Sequence, residues 1–157
     1  MPRRAYAIAV HNQQSGLRVD KRRLRAAVRA VLDEAGLERA SVSVAVVDDP
    51  TIQDLNRRFL RHDRPTDVLS FVLESGAGGL EGEVIVSADT ARAQSQQWGW
   101  SAAGELLLYV VHGTLHLVGY NDATPKQRGE MHAREQSHLA RFGLEAPGRG
   151  RRIVASG

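Results

Sequence analysis

Tyr6, Ile8 and Val10 alternate with polar or small residues, the period of a strand with one buried face. After Asp20 the period changes. Leu24, Val28, Val31, Leu32 and Ala35 recur at helical spacing, with Asp20 as cap and Gly36 as stop. Val42, Val44 and Val46 share one face of a second strand, and Ala45 and Val47 lie on the other. Two apolar faces imply a strand covered by helices on both sides. Asp49-Pro50 opens a short helix with proline at its favoured first position, and Ile52, Leu55 and Phe59 form its inner stripe. Residues 61–66 are a polar loop. Val68 to Val72 read as a third strand and Val84 to Val86 as a fourth. The small, glycine-rich run from Ser75 to Gly79 between them reads as a mobile connection.

Three helices follow. Ser87 caps one that runs to about Gln97. Ser101 opens another through Leu106, Leu107, Leu108, Tyr109, Val110 and Val111, with Gly119 as its stop. It is apolar nearly all round, which places it in the middle of the fold. Thr124-Pro125-Lys126-Gln127 is a capping box with proline at the first helical position, and the helix it opens runs to about Phe142. From Ala146 onward the chain is rich in Gly and Arg and reads as disordered. The expected architecture is α+β: a small mixed four-stranded sheet packed with about five helices. Residues 1–146 form a single domain, and residues 147–157 form a basic tail.

Composition narrows the function. The chain has 157 residues and no cysteine, so thiolate metal sites and disulfide-linked partners are excluded. No apolar run reaches membrane-spanning length and the start has no signal-peptide pattern, so the expectation is a cytoplasmic protein with no membrane partner. The net charge of +3 equals the three tail arginines Arg149, Arg151 and Arg152. Inside the domain the charge is uneven: residues 1–64 carry 13 basic and 8 acidic groups, and residues 65–148 carry 5 and 10. A basic front half can meet a polyanion, but charge alone reads first as a mixed, solvated surface.

The chemistry concentrates in Val111-His112-Gly113-Thr114-Leu115-His116-Leu117-Val118-Gly119-Tyr120-Asn121-Asp122. His112 and His116 are four apart on a helix, so they leave one face with Cβ atoms about 6 Å apart. Two imidazoles at that spacing can share a first-row metal ion. Gly119 lets the chain fold back, and Asp122 then supplies a carboxylate oxygen. Three protein ligands leave one position open, as a catalytic zinc requires. One Zn2+ per chain is the expected cofactor, with another divalent ion as the alternative. The zinc-peptidase motif places a glutamate directly after its first histidine; here that residue is Gly113, so a peptidase lacks its base.

This stretch resembles the YbeY family of endoribonucleases, also described as rRNA maturation factors. Two further blocks carry the resemblance: Leu55-Asn56-Arg57 followed by Pro65-Thr66-Asp67-Val68-Leu69-Ser70-Phe71, and Gly82-Glu83-Val84-Ile85-Val86-Ser87. It covers about residues 5–142. It implies single-strand-selective cleavage of RNA in rRNA 3′-end maturation and ribosome quality control, with rRNA and components of the small ribosomal subunit as partners. The family's usual third metal histidine falls at Asp122, its preceding acid at Asn121, and an arginine before the Pro-Thr-Asp block at Leu60, beside Arg61. Carboxylate oxygen is a competent ligand, but it adds negative charge and turns metal choice toward harder ions such as manganese. Arg57, Arg58, Arg61 and Arg64 are candidates for phosphate contacts, Arg57, Arg61 and Arg64 foremost. Trp98 and Trp100 read first as interhelix packing and second as base-stacking groups. His132 and His138 read first as surface residues and second as partners of the metal ligands. Thr66 and Ser70 fix the entry of the third strand or orient ligands. The competing functions are a ribosome-assembly binding protein with a structural metal and a metal hydrolase of another substrate.

Overall fold

The computed structural model describes residues 4–148. Most of the expected basic tail, residues 149–157, lies outside the described residues. The elements are β1 (Ala5–Asn12), α1 (Lys21–Glu34), β2 (Arg39–Val47), α2 (Asp49–Leu60), β3 (Val68–Gly76), β4 (Gly79–Ser87), α3 (Ala88–Trp98), α4 (Ala102–Leu117) and α5 (Pro125–Ala140). The helix starts follow from the sequence. Asp20, Ser87, Ser101 and Thr124 each accept a hydrogen bond from a backbone N–H in the first turn, and Thr124 completes the capping box with Gln127.

The sheet has the order β1-β2-β4-β3. β1, β2 and β4 run parallel, and β3 pairs antiparallel with β4 along the edge. The fold is therefore α+β with a mixed sheet. One face packs Val42, Val44, Val46, Val68, Val84 and Val86 against α1 and α4 in the main core. The other face carries a smaller cluster, in which Val47, Leu69 and Ile85 meet Ile52 of α2. α4 is buried along nearly its whole length, as its apolar surface dictates.

Five readings change. Phe59 does not belong to the inner stripe of α2: its side chain is 60% exposed. Asn56 takes the buried position instead, because its Nδ2 donates to the Arg64 carbonyl at 3.0 Å and so ties the following loop to the helix. The glycine-rich run is no loose connection. β3 and β4 form a hairpin that turns through Ala77 and Gly78, both with positive φ (50° and 76°), the backbone of a type I′ turn. Ala146 is buried, and its backbone exchanges two hydrogen bonds with the Gln136 side chain, so the ordered chain reaches past that residue. His138 is fully buried rather than at the surface. α5 ends at Ala140, before the expected Phe142.

The seating of α4 on the sheet decides the position of everything it carries. A Cβ at Gly113 would lie 2.6 Å from Val84 Cγ1, 2.9 Å from Val68 Cγ2 and 3.0 Å from Ser70 Oγ. A Cβ at Gly82 of β4 would lie 2.9 Å from Leu117 Cδ2. The helix therefore lies flush on β3 and β4 at two glycines. Ser70 completes the contact by donating to the Gly113 carbonyl at 3.0 Å.

Two expectations follow. Gly113→Ala destabilises the chain in a denaturant titration. Alanine favours a helix by about 1 kcal/mol, but overpacking at a buried contact costs about 1–3 kcal/mol. Gly129→Ala, at an exposed position of α5 with nothing within 4 Å of the new Cβ, keeps only the helical gain and stabilises. The second concerns His138, which faces Glu34 of α1 at 3.3 Å. Burial holds its pKa below the ordinary 6.5; repulsion from Arg141 and Arg134 adds to the depression, and Glu34 opposes it. The unfolded chain binds this proton first, so the neutral histidine's contribution is complete above about pH 6.5 and drains as pH falls below it. The thermal midpoint of His138→Gln should vary less between pH 7 and 5 than that of the parent chain.

Candidate metal centre

α4 ends in a turn that builds the site. Val118 caps the helix, and Gly119 takes φ 104°. The Gly119 N–H donates to the His116 carbonyl at 3.1 Å, and the Tyr120 N–H donates to the Leu115 carbonyl at 3.0 Å. This paired arrangement is a Schellman cap, and it needs a residue tolerant of positive φ. The turn brings the Tyr120 carbonyl to 3.0 Å from His116 Nδ1. Two residues later it brings Asp122 over the histidine pair. Arg128 of α5 holds the loop by donating to the carbonyls of Asp122 and Ala123 at 3.3 and 3.2 Å.

The three donor atoms form a compact triangle. His112 Nε2 and His116 Nε2 are 3.1 Å apart. Asp122 Oδ2 lies 3.6 Å from the first and 3.4 Å from the second. A tetrahedral ion with bonds of about 2.0–2.1 Å has ligand–ligand edges of about 3.3 Å, so the triangle matches the size such an ion requires.

Hydrogen bonds at the far side of each ring fix which nitrogen is available. His112 Nδ1 lies 2.5 Å from Glu135 Oε2 of α5. Carboxylate and carbonyl oxygens only accept, so both Nδ1 atoms carry protons and both Nε2 atoms present lone pairs. Two ring nitrogens and a carboxylate oxygen then converge within 3.6 Å, a donor set that a divalent cation could bridge. The residues present fit a divalent metal. Burial, first, and repulsion from His112, second, hold the His116 pKa below its ordinary 6.5, against the opposing pull of Asp122. His116 thus stays neutral, the form that binds metal.

Glu135 was not legible from the motif. It lies 23 residues after His112 on another helix, and it is buried. The only signal was an acid on the core-facing side of α5. Its other oxygen lies 4.0 Å from His132 Nδ1, so His132 stands behind the ligand shell, whereas His138 pairs with Glu34. Trp100 packs against the core and donates to Glu105 Oε1 at 2.7 Å, and Trp98 donates to Gln94 Oε1 at 3.1 Å. Thr66 is buried beside Asp67 where β3 begins. The arginines stand apart from the triad. α2 packs on the sheet face opposite α4, Arg57 and Arg58 engage Asp54, and Arg61 and Arg64 are exposed in the loop after α2.

Comparison with known proteins places the chain in a family. Residues 9–143 match the profile of the family described as Endoribonuclease YbeY. A protein of that name from Rhodopirellula baltica is 45% identical over 124 residues, 78% of this chain, though the match spans only 63% of that protein. Namesakes from Salinibacter ruber and Moorella thermoacetica are 36% and 38% identical, covering 84% and 87% of this chain and 89% and 97% of their own length. The solution structure of a Thermotoga maritima protein superposes with a TM-score of 0.59 at 27% identity, covering 85% of this chain and 86% of that one. With its profile match across the sheet and the metal centre alike, the chain belongs to the YbeY endoribonuclease family.

Proposed function

We propose that this chain is a metal-dependent endoribonuclease that cuts single-stranded RNA in the cytoplasm, acting in rRNA 3′-end maturation and ribosome quality control. Its ligands are His112, His116 and Asp122, its preferred ion is zinc, and its partners are rRNA and components of the small ribosomal subunit. The observation that carries the reading is the convergence of two Nε2 lone pairs and Asp122 Oδ2 within 3.6 Å. A bound divalent ion supplies Lewis acidity toward phosphoryl oxygens. The protein's own groups do the rest. Glu135 and the Tyr120 carbonyl hold the imidazoles in the ligating tautomer. Asp122 and Glu135 together balance the charge of a divalent ion. Arg57, Arg61 and Arg64 hold phosphates of the bound strand.

A second reading is a ribosome-assembly binding protein whose metal is structural. One observation favours it: Glu135 is tied to His112 and Asp122 faces the metal position, so both carboxylates of the centre are committed and neither is a ready general base. Metal content and RNA cleavage measured together separate the two. Loss of cleavage on chelation with the fold retained supports the enzyme; intact RNA in metal-loaded protein supports the binding protein.

Two predictions rest on the ligand set. Asp122→Ala loses bound metal and RNA cleavage together. Asp122→His keeps a substantial part of both, and its pH–rate profile moves to the acid side, because a negative charge has been removed beside the ion. Cleavage of a single-stranded rRNA fragment across pH, with metal content by elemental analysis, checks both; full activity in metal-free Asp122→Ala removes the metal from the reaction. Glu135→Gln keeps an acceptor for His112 Nδ1 but removes the charge behind it. Metal affinity by chelator competition should fall about 10- to 100-fold with circular dichroism unchanged. An unchanged affinity would show that Glu135 serves packing alone.

A further inference from the structure

Phe59, Val72 and Leu73 are the large apolar side chains left exposed among the described residues, at 60%, 51% and 56%. Phe59 stands at the end of α2, and Val72 and Leu73 lie on edge strand β3. Phe59 does not hang free. Its ring meets Phe71 of β3 edge to face, with centroids 5.9 Å apart and planes at 64°. The Arg58 guanidinium lies 5.6 Å from its centroid.

The surrounding charge selects the occupant. Residues 57–64 contribute Arg57, Arg58, Arg61 and Arg64, all exposed, against the nearby Asp54 and Asp63. Asp54 engages Arg57 and Arg58, and Asp63 accepts from Gln53. Arg61 and Arg64 form no ion pair among the described residues. The Arg58 guanidinium lies against the exposed ring, and Arg61 and Arg64 follow it, exposed, in the next loop. An exposed aromatic with arginines beside it has the composition of a platform for single-stranded nucleic acid, where bases stack and guanidinium groups hold phosphates.

The patch is also connected to the metal centre. Ser70, one residue before Phe71, donates to the Gly113 carbonyl next to His112. Successive residues of a strand point to opposite faces, so Ser70 faces α4 and Phe71 faces α2 across the width of one edge strand. Since no strand lies beyond β3 in the sheet among the described residues, a bound chain can pass round that edge.

We propose that Phe59, backed by Phe71, is a stacking subsite for an unpaired base, with Arg58 and Arg61 on the neighbouring phosphates. The proposal rests on the endoribonuclease reading and adds to it a subsite around the β3 edge from the metal. It also supplies a physical source of single-strand selectivity, because a paired base has no free face to offer the ring.

The test uses the full-length, metal-loaded protein. Binding of a fluorescently labelled single-stranded RNA 12-mer is followed by anisotropy, with the RNA checked intact on a gel, alongside an abasic oligonucleotide of the same length. Phe59 is exposed on a helix, so Phe59→Ala leaves the fold intact. It should weaken RNA binding about tenfold and leave abasic binding unchanged. Phe59→Trp should retain binding, with its fluorescence quenched as RNA is added. Equal affinity of Phe59→Ala and the parent chain for RNA overturns the subsite, as does equal loss on the abasic chain. If the parent chain still cleaves RNA in that case, the endoribonuclease reading stands and only the subsite falls. A parent chain that neither binds nor cleaves RNA overturns both. Self-association of the parent chain that Phe59→Ala abolishes, with RNA binding unaffected, reassigns the patch to contact between copies.

Discussion

Everything at the metal centre depends on how closely α4 lies on the sheet. Gly113 and Gly82 remove the side chains that would hold the helix away from β3 and β4. Once the helix is flush, His112 on the adjacent face is 3% exposed, and a buried imidazole must find hydrogen-bond partners inside the protein. Glu135 satisfies Nδ1, which leaves Nε2 as a bare acceptor. The same seating sets where α4 ends, and the Schellman turn there returns Tyr120 and Asp122 over His116. Packing, tautomer and ligand geometry are thus successive consequences of one close contact. The glycine that denies a peptidase its base is the residue that lets this helix dock.

The charge of the centre follows from Asp122. Two histidines and one carboxylate would bring more negative charge to an ion than three histidines, and Glu135 places a second carboxylate behind His112. A divalent cation held there would be a weaker Lewis acid than one held by three histidines. The carboxylate ligand would also broaden the range of ions accepted toward those that prefer oxygen.

Much of this was legible in the sequence, for definite reasons. The order of elements followed from alternation in the strands and from the caps Asp20, Ser87, Ser101 and Thr124, which are local signals. The convergence of His112, His116 and Asp122 was legible because helical spacing and a glycine stop are local too. Glu135 was not, because its role depends on how α5 crosses α4. Phe59 was misread because positions 55, 56 and 59 lie on neighbouring sides of a helix, and the Asn56 bond to the Arg64 carbonyl turns 56 inward beside Leu55 and leaves 59 outside. Ser75 to Gly79 looked loose because glycine signals both mobility and tight turns; the positive φ angles of Ala77 and Gly78 resolve it as a turn. The burial of His138 came from a tertiary contact with α1 that no local pattern announces.

The most direct test of the central claim is a crystal structure of the chain grown with zinc, with data collected on both sides of the zinc absorption edge. One anomalous peak is expected about 2.0–2.2 Å from His112 Nε2, His116 Nε2 and an Asp122 carboxylate oxygen, with Glu135 still on His112 Nδ1. A peak elsewhere, or Asp122 turned to solvent with His132 in its place, would contradict the account.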